Sequence, residues 1–304
     1  MAPRVIRIVG APFNSSGTTD GVARAPTALR RAGLVERLRA AGLEVTDRGD
    51  LNFGATSRER EPISGVIAPG ALATMIRAVG AEVEAALQTG GFPLVLGGDC
   101  PVLLGCLNGG DRRQVPGLFF IDGHEDAWPP AASTTGEAAD MELGFALGLT
   151  LSSLPQDLRA ALPRLDPDDV VVVGPRDQGE LAAAGVPTIG DLVEIVRAEE
   201  ASADPIAVAA SSVDRLGRMG AWWLHVDLDV LSTESLGAID YPQAGGIGWE
   251  ALTSLTRRAL KSRVAIGWDV TIYNPDLDPR GTDAARIVRY IVESLAPGMS
   301  RIAR

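Results

Sequence analysis

Two short segments of this chain concentrate side chains that bind metal ions. Residues 122–126 read DGHED, in which four of the five side chains are potential ligands, and residues 225–229 read HVDLD. Together the two segments contain both histidines of the chain. Carboxylates packed this densely repel one another unless cations lie between them. Mainly oxygen ligands with an imidazole suit Mn²⁺ or a similar hard to borderline divalent ion.

Each segment follows an apolar run, GLFFI in the first case and WWL in the second, which indicates the end of a buried strand. Side chains at alternate strand positions point to the same face, provided that the extended geometry persists. The residues expected on such faces are Asp122, His124 and Asp126 in the first segment and His225, Asp227 and Asp229 in the second. A single D-x-D is more typical of a loop cap, but two facing groups predict a metal site with ligands for two ions.

The elements that must position these residues alternate along the chain. Strands are predicted at residues 4–12, 43–51, 92–99, 117–124, 169–177, 221–231 and 264–274. Helices are predicted at residues 25–42, 69–91, 205–220, 249–262 and 282–296. Such alternation is typical of βαβ units and predicts an α/β fold, with a mostly parallel sheet covered by helices on both faces. Ligands bind at the carboxyl ends of strands in such sheets.

We expect residues 1–304 to form one domain, because neither a linker nor an internal repeat interrupts the pattern. The likeliest breaks in the chain are surface loops at residues 52–68 and 127–140, both rich in small or polar residues. The net charge of −11 argues against nucleic acid or an anionic membrane as the main partner, and it permits a metal ion or a cationic small molecule.

Localisation in the cytoplasm is the expectation from three further features. The two cysteines, Cys100 and Cys106, imply no disulfide framework and suit a reducing compartment. The first residues lack a signal-peptide pattern, and no apolar run reaches the roughly eighteen residues of a membrane span.

A G-x-G-x-x-G fingerprint is absent from the sequence, which argues against a nucleotide-binding Rossmann protein.

With these motifs in this order, the chain resembles the arginase and agmatinase (ureohydrolase) superfamily. That family shows G-G-D-H, D-A-H-x-D and S-x-D-x-D, which stand here as GGDC (97–100), DGHED (122–126) and HVDLD (225–229). The opening GAPFNSSGTTDGVARAPTALRRAGL (10–34) and the late DVTIYNP (269–275) also follow the family pattern. The resemblance implies a three-layer α/β/α fold with a central, mostly parallel eight-stranded sheet. It also implies a homo-oligomer that acts on a small molecule.

The resemblance further implies a two-manganese centre, whose bridging water attacks a guanidinium carbon and releases urea. The implied ligands are Cys100, Asp122, Asp126 and Asp227 for one ion, and Asp122, His124, Asp227 and Asp229 for the other. Cys100 replaces the family's histidine, and a thiol must lose its proton to bind a metal. We therefore expect one or two bound manganese ions. Zinc, iron and cobalt stay open as alternatives because of Cys100. A buried Cys100 that binds no metal stays open as an alternative.

The catalytic histidine of the family falls on Ala139, and its guanidinium-binding glutamate falls on Ile272. Plain arginine and agmatine are therefore not the expected substrates. The candidate catalytic groups in this chain are Asp126, Glu137, Asp140 and His225, with Glu142 as a further acid near the lost histidine. Helix capping or exposure to solvent stays open for the acids at 137, 140 and 142. Four roles stay open for His225. It could orient a metal ligand, bind the metal as a compensating ligand, act as a base, or pack as a core residue.

Trp128, Glu137 and Ile272 are the candidate substrate-binding residues. Trp128 and Glu137 stand where arginase-like enzymes contact the amino-acid end of their substrate, and an indole there can stack on a flat or cationic group. A core or interface role is the alternative for Trp128. We therefore expect a metal-dependent hydrolase of a carbon–nitrogen bond in a guanidine-, amidine- or amide-type substrate. The alternative is a catalytically idle protein of the same fold, with a structural, regulatory or ligand-binding role.

Overall fold

The computed structural model describes residues 4–109 and 115–296, which contain eight strands. The strands are β1 (Ile6–Ala11), β2 (Val45–Asp50), β3 (Phe92–Gly97), β4 (Gly117–Ile121), β5 (Val170–Val173), β6 (Glu194–Val196), β7 (Trp222–Asp227) and β8 (Ala265–Thr271). They form one sheet in the order β2-β1-β3-β8-β7-β4-β5-β6. All neighbouring strands in this sheet are parallel.

Helices cover both faces of the sheet. They are α1 (Ala25–Arg31), α2 (Leu34–Ala40), α3 (Pro69–Gln88), α4 (Val102–Asn108), α5 (Glu142–Leu147), α6 (Gln156–Ala161), α7 (Gln178–Ala184), α8 (Ala198–Ala203), α9 (Pro205–Met219), α10 (Trp249–Ala259) and α11 (Thr282–Leu295). Helices α1, α2 and α8–α11 pack into one apolar core, and α3–α6 pack into the other. The adjacent residues Trp222 and Trp223 of β7 point into opposite cores. The predicted three-layer α/β/α fold is therefore confirmed.

The buried strands read as continuous apolar runs, because a parallel sheet is covered on both faces. Every residue of β4 and β5 is buried. The seven predicted strands are present, each somewhat shorter than its apolar run. The predicted helix at 25–42 is instead two helices, because Gly33 adopts a left-handed φ of 87° between them. The single domain over residues 1–304 stays a prediction.

The order of the strands determines where polar side chains can meet. Strands β3, β8, β7 and β4 are consecutive neighbours at the centre of the sheet. Ile121 pairs with Val226, and Asp227 pairs with Thr271, so β4, β7 and β8 end at nearly the same level. The segments that follow these strands therefore lie side by side. No helix within the described ranges combines the length and apolar character needed to cross a bilayer.

Candidate metal centre

Asp122 and Asp227 lie at the carboxyl ends of β4 and β7, and both are fully buried. Each carboxylate accepts a hydrogen bond from the backbone two residues further along the chain. The N–H of His124 donates to Oδ1 of Asp122 at 2.8 Å, and the N–H of Asp229 donates to Oδ1 of Asp227 at 2.7 Å. These local bonds turn the chain out of the strand direction at the end of each strand.

Residues 122–126 therefore do not meet the condition of extended geometry on which the shared face depended. Strand β4 ends at Ile121, Asp126 has a left-handed φ of 43°, and Asp229 belongs to a 3-10 turn at residues 228–230. The predicted convergence of the two segments nevertheless holds. Nδ1 of His124 lies 2.8 Å from Oδ2 of Asp229 and 3.7 Å from Oδ1 of Asp122. Turns bring these side chains together, whereas the sequence pattern suggested strand alternation.

Three groups of potential ligands meet around Asp122. In each group the ligating atoms lie within 4.8 Å of one another. The groups are Asp122 with His124 and Asp229, Asp122 with His225 and Asp227, and Asp122 with Asp126 and Glu142. All the metal ligands predicted from the two segments are therefore close together. Glu142, which the sequence suggested only as a proton carrier, also belongs to this cluster.

The turn after β3 brings Cys100 to the same place. Gly98 approaches the backbone so closely that a Cβ there would lie 2.1 Å from the carbonyl oxygen of Phe13, which explains the need for glycine. The next residue, Asp99, is buried and accepts a hydrogen bond from the N–H of Ser15 at 2.8 Å. Burial raises the pKa of Asp99 to about 6. The turn is thus fixed against the segment of residues 13–15.

The thiol of Cys100 is buried and donates a hydrogen bond to Oδ2 of Asp227. The hydroxyl of Thr271 donates to the same oxygen at 3.2 Å. Burial, together with neighbouring carboxylates, raises the pKa of the Cys100 thiol well above its usual range. In the metal-free protein Cys100 is therefore a hydrogen-bond donor to the centre.

His225 is fully buried, and its ring is fixed on two sides. Nδ1 lies 2.6 Å from Oδ2 of Asp269, whose other oxygen accepts a hydrogen bond from Nε1 of Trp223 at 2.5 Å. The ring also stacks on Phe120, with the centroids 4.8 Å apart. Nε2 consequently faces Oδ2 of Asp122 at 3.7 Å. The sequence patterns did not reveal the contribution of Asp269, although a carboxylate within an apolar strand is a usable signal.

The cluster is electrostatically unfavourable without a cation. Burial, reinforced by neighbouring carboxylates, raises the pKa of Asp126, Asp227 and Glu142 well above the usual carboxyl range. Burial also opposes ionisation of Asp122, but contacts with the two histidines lower its pKa. Oδ2 of Asp122 and both carboxylate oxygens of Glu142 have no hydrogen-bond partner among the described residues. A hard divalent cation would satisfy such oxygens, so the donor set fits the metal implied by the motifs.

A cavity of about 300 Å³ opens beside this cluster, and Trp128, Ala139, Asp140 and Ile272 are among the residues that line it. Ile272 and Tyr241, another lining residue, have left-handed φ values of 69° and 56°. Such conformations are unfavourable for non-glycine residues and concentrate at ligand-binding sites. The candidate substrate residues Trp128 and Ile272 therefore share one cavity with the metal cluster.

The remaining candidate acids differ in their surroundings. Glu137 is half-buried and lines an adjoining cavity of about 430 Å³, which shares Tyr241 and Ile272 with the first. Burial, with Asp99 and Asp140 nearby, raises the pKa of Glu137 to about 7. By contrast, the Asp140 carboxylate stabilises its own loop.

Two hydroxyl groups donate hydrogen bonds to Oδ2 of Asp140, that of Ser133 at 2.7 Å and that of Thr135. The backbone carbonyl of Asp140 accepts a further bond from the N–H of Trp128 at 2.9 Å. These contacts give Asp140 a positioning role in the cavity wall.

Comparison with known proteins agrees with this geometry. Residues 4–296 match the family model described as the arginase family. Arginase-1 of Sus scrofa is 27% identical over 292 residues, covering 94% of this chain and 90% of the pig protein. The arginase structure from Bacillus caldovelox superposes with a TM-score of 0.84 at 26% identity, covering 99% of this chain and 100% of that one. Formimidoylglutamase of Bacillus subtilis shares the fold, with a TM-score of 0.71 at 15% identity over 96% of this chain and 86% of its own. On its motifs, its fold and these matches, the chain belongs to the arginase family.

Proposed function

We propose that this protein is a metal-dependent hydrolase that cleaves a carbon–nitrogen bond in a small guanidine-, amidine- or amide-type substrate. One observation carries the proposal: buried carboxylates and imidazoles converge, with unpartnered oxygen atoms, beside a cavity large enough for a small molecule. Manganese is the proposed metal, because oxygen ligands dominate the cluster. A purely structural sheet has no use for such an arrangement, which carries a high desolvation penalty.

Two ion sites that share ligands are the proposed arrangement. Asp122, Asp126 and Asp227 contribute to the first site, and Cys100 is the neighbour of Asp227 there. The proposed ligands of the second site are Asp122, His124, Asp227 and Asp229. When bound, divalent ions supply a Lewis acid and an acidified water, which together permit attack on a planar carbon.

The cavity supports a flat, partly cationic substrate that is neither plain arginine nor agmatine. Trp128 offers an aromatic face on which a planar cation can stack. The apolar side chain of Ile272 occupies the position where the family carries its guanidinium-binding glutamate, so that ion pair is lost. We assign contact with the leaving-nitrogen end of the substrate to Glu137, which lies in the adjoining acidic cavity.

We also assign proton transfer to Glu137. A pKa of about 7 lets a carboxyl group both hold and release a proton near neutral pH. Its proposed role is to donate a proton to the leaving nitrogen, which replaces the function of the histidine that is lost at Ala139. His225 is fully buried and is absent from the cavity lining, so we assign it no direct contact with substrate.

The second candidate function is a catalytically idle, ligand-binding member of the family. Ala139 and Ile272 favour it, because both positions lack the side chain that the family uses in catalysis. The two functions differ in one measurable property, the release of ammonia or a urea-type product from a bound substrate.

The test is a panel of small guanidines, amidines and amides, incubated with the manganese-loaded protein while release of ammonia and urea is measured. Hydrolysis that is abolished by Asp122→Asn, but retained by the matched surface variant Asp214→Asn, is the expected result. Asp214 is exposed on α9 and belongs to none of the three groups of potential ligands. Manganese binding without turnover of any compound would favour the idle alternative, and absence of bound metal would overturn both proposed ion sites.

The identity of the metal, the homo-oligomeric state and the cytoplasmic localisation stay predictions. Elemental analysis of the protein purified without added metal tests the first. Light scattering coupled to size exclusion tests the second, and fractionation of the native host cells tests the third.

A further inference from the structure

We propose that the first metal site of this protein is built around His225 and Glu142, which take the place of the imidazole that is missing at Cys100. The inference rests on the metal centre of the proposed function and names ligands that the family motifs do not contain. Three observations support it. They are the orientation of His225, the unpartnered oxygens of Glu142, and the two differences from the family motifs at positions 100 and 225, where one histidine is lost and one is gained.

The orientation of His225 is that of a metal-binding imidazole. Its Nδ1 faces Asp269 at 2.6 Å, so Nδ1 keeps its proton, and Nε2 presents a lone pair once it releases its own proton to bind the metal. Histidine ligands commonly donate their second ring N–H to a carboxylate in this way, which fixes the ring and increases its basicity. Nε2 is buried, has no hydrogen-bond partner among the described residues and lies 3.7 Å from Oδ2 of Asp122. Ligating atoms of His225, Asp122 and Asp227 lie within 4.8 Å of one another.

Glu142 supplies an additional carboxylate from the other side of Asp122. It is the first residue of α5 and is fully buried, yet neither of its carboxylate oxygens has a hydrogen-bond donor among the described residues. One of these oxygens lies within 4.8 Å of ligating atoms of Asp122 and Asp126. A buried carboxylate in this position is strongly unfavourable unless a cation compensates its charge.

The exchange at positions 100 and 225 supports the same assignment. The family motifs place histidine in G-G-D-H and serine in S-x-D-x-D, whereas this chain has Cys100 and His225 at those positions. The number of imidazoles is thus unchanged, but one is supplied by β7 instead of the turn after β3. The Cys100 thiol donates to Asp227, so it contacts a proposed ligand of the ion. The resulting donor set is Asp122, Asp126, Glu142, His225 and Asp227.

The test compares the manganese content of four proteins after equilibrium dialysis: wild type, His225→Ser, Cys100→Ser and the double variant Cys100→His/His225→Ser. We expect His225→Ser to lose one Mn²⁺ per chain relative to wild type and Cys100→Ser to lose none. The double variant restores the family's arrangement and should regain the lost ion. Circular dichroism and thermal unfolding identify any variant that fails to fold. Retention of the wild-type content by His225→Ser, a loss in Cys100→Ser, or a wild type that binds no manganese would overturn the proposal.

Two further measurements do not depend on survival of the His225→Ser fold. Asp269→Asn and Glu142→Gln should each weaken manganese binding, by about 10- to 100-fold for the positioning residue Asp269, while the exposed control Glu199→Gln should not. Cobalt-substituted wild type should lack the intense thiolate-to-cobalt absorption. Such a band, if Cys100→Ser removes it, would assign the site to the cysteine instead. All these readouts measure binding, so failure to find a substrate would count against the proposed function alone.

Discussion

Nε2 of His225 and Oδ2 of Asp122 face each other at 3.7 Å inside the protein, and both side chains are fully buried. Neither atom has a hydrogen-bond partner among the described residues. A buried polar group without a partner costs about 1–3 kcal/mol, and more if it is charged. A cation that binds between such groups removes this penalty. Metal binding and folding stability should therefore be coupled in this protein.

Manganese is expected to raise the melting temperature of the metal-free protein. A ligand that binds only the folded state at 100 times its Kd adds about 2.7 kcal/mol of stability, which corresponds to a shift of roughly 5 °C. Differential scanning fluorimetry after treatment with a chelator measures the shift. Asp122→Asn should remove most of it, and Asp214→Asn should keep it. A wild-type midpoint that manganese leaves unchanged would contradict the coupling.

The metal-free protein is expected to become less stable as the pH rises from about 5 to about 8. Burial raises the pKa of Asp99 to about 6 and that of Glu137 to about 7. The folded state therefore holds these protons more tightly than the unfolded chain, and this stabilisation is lost as pH rises towards the folded pKa. Despite burial, nearby carboxylates also raise the pKa of His124 and His225, and their contribution decreases above a pH of about 6.5.

Urea unfolding midpoints at several pH values, with chelator present, check this dependence. Saturating manganese should stabilise the protein more at pH 8 than at pH 5, because binding releases protons from the ligands. A metal-free stability that increases over the same pH range would show that groups other than these carboxyls and imidazoles control the pH dependence of folding.

The convergence of the two acidic segments was predictable from sequence because both segments follow apolar runs, and ligand-binding residues gather at the carboxyl ends of the strands in a parallel sheet. The local geometry was not predictable in the same way. Asp122 and Asp227 accept bonds from backbone N–H groups two residues later, and these turns replace the strand alternation that the pattern suggested. Side-chain-to-backbone bonds of this kind compete with extended structure, and apolar periodicity carries no signal for them.

The ligand or positioning roles of residues that reach the site from other elements were also hard to predict. Glu142 lies at the start of the six-residue helix α5, which is too short for helical periodicity to be recognised. Strand β6 has only three residues and escaped prediction for the same reason. Asp269 belongs to a strand that was predicted, but its contact with His225 depends on β7 and β8 being neighbours. Such contacts require the three-dimensional strand order.

Glu125 illustrates a motif residue whose contribution is to stability. It lies between two proposed ligands, but its buried carboxylate faces away from them and accepts hydrogen bonds from the Thr188 hydroxyl at 2.5 Å and the Ile189 N–H at 2.7 Å. Glu125→Gln should lower the free energy of unfolding by about 1.5–3 kcal/mol, since hydrogen bonds to a charged group are lost. Urea unfolding measures the change, and the exposed control Glu199→Gln should be neutral. Equal stability of the two variants would contradict this role.

Glu137→Gln separates the proposed proton transfer from metal binding. With the substrate that the panel identifies, kcat/KM should fall by about 10²- to 10⁴-fold, the range typical of a general acid or base. The manganese content should be unchanged, because Glu137 lines the adjoining cavity and belongs to none of the three ligand groups. In the wild type, the pH profile should show a transition near 7 that the variant lacks, as the raised pKa of Glu137 requires. If Glu137→Gln keeps the wild-type pH profile, another group carries out the proton transfer, and Asp140→Asn tests one candidate. Because the Asp140 carboxylate accepts hydrogen bonds from two hydroxyl groups, Asp140→Asn should lower the melting temperature and leave the transition near pH 7 in place.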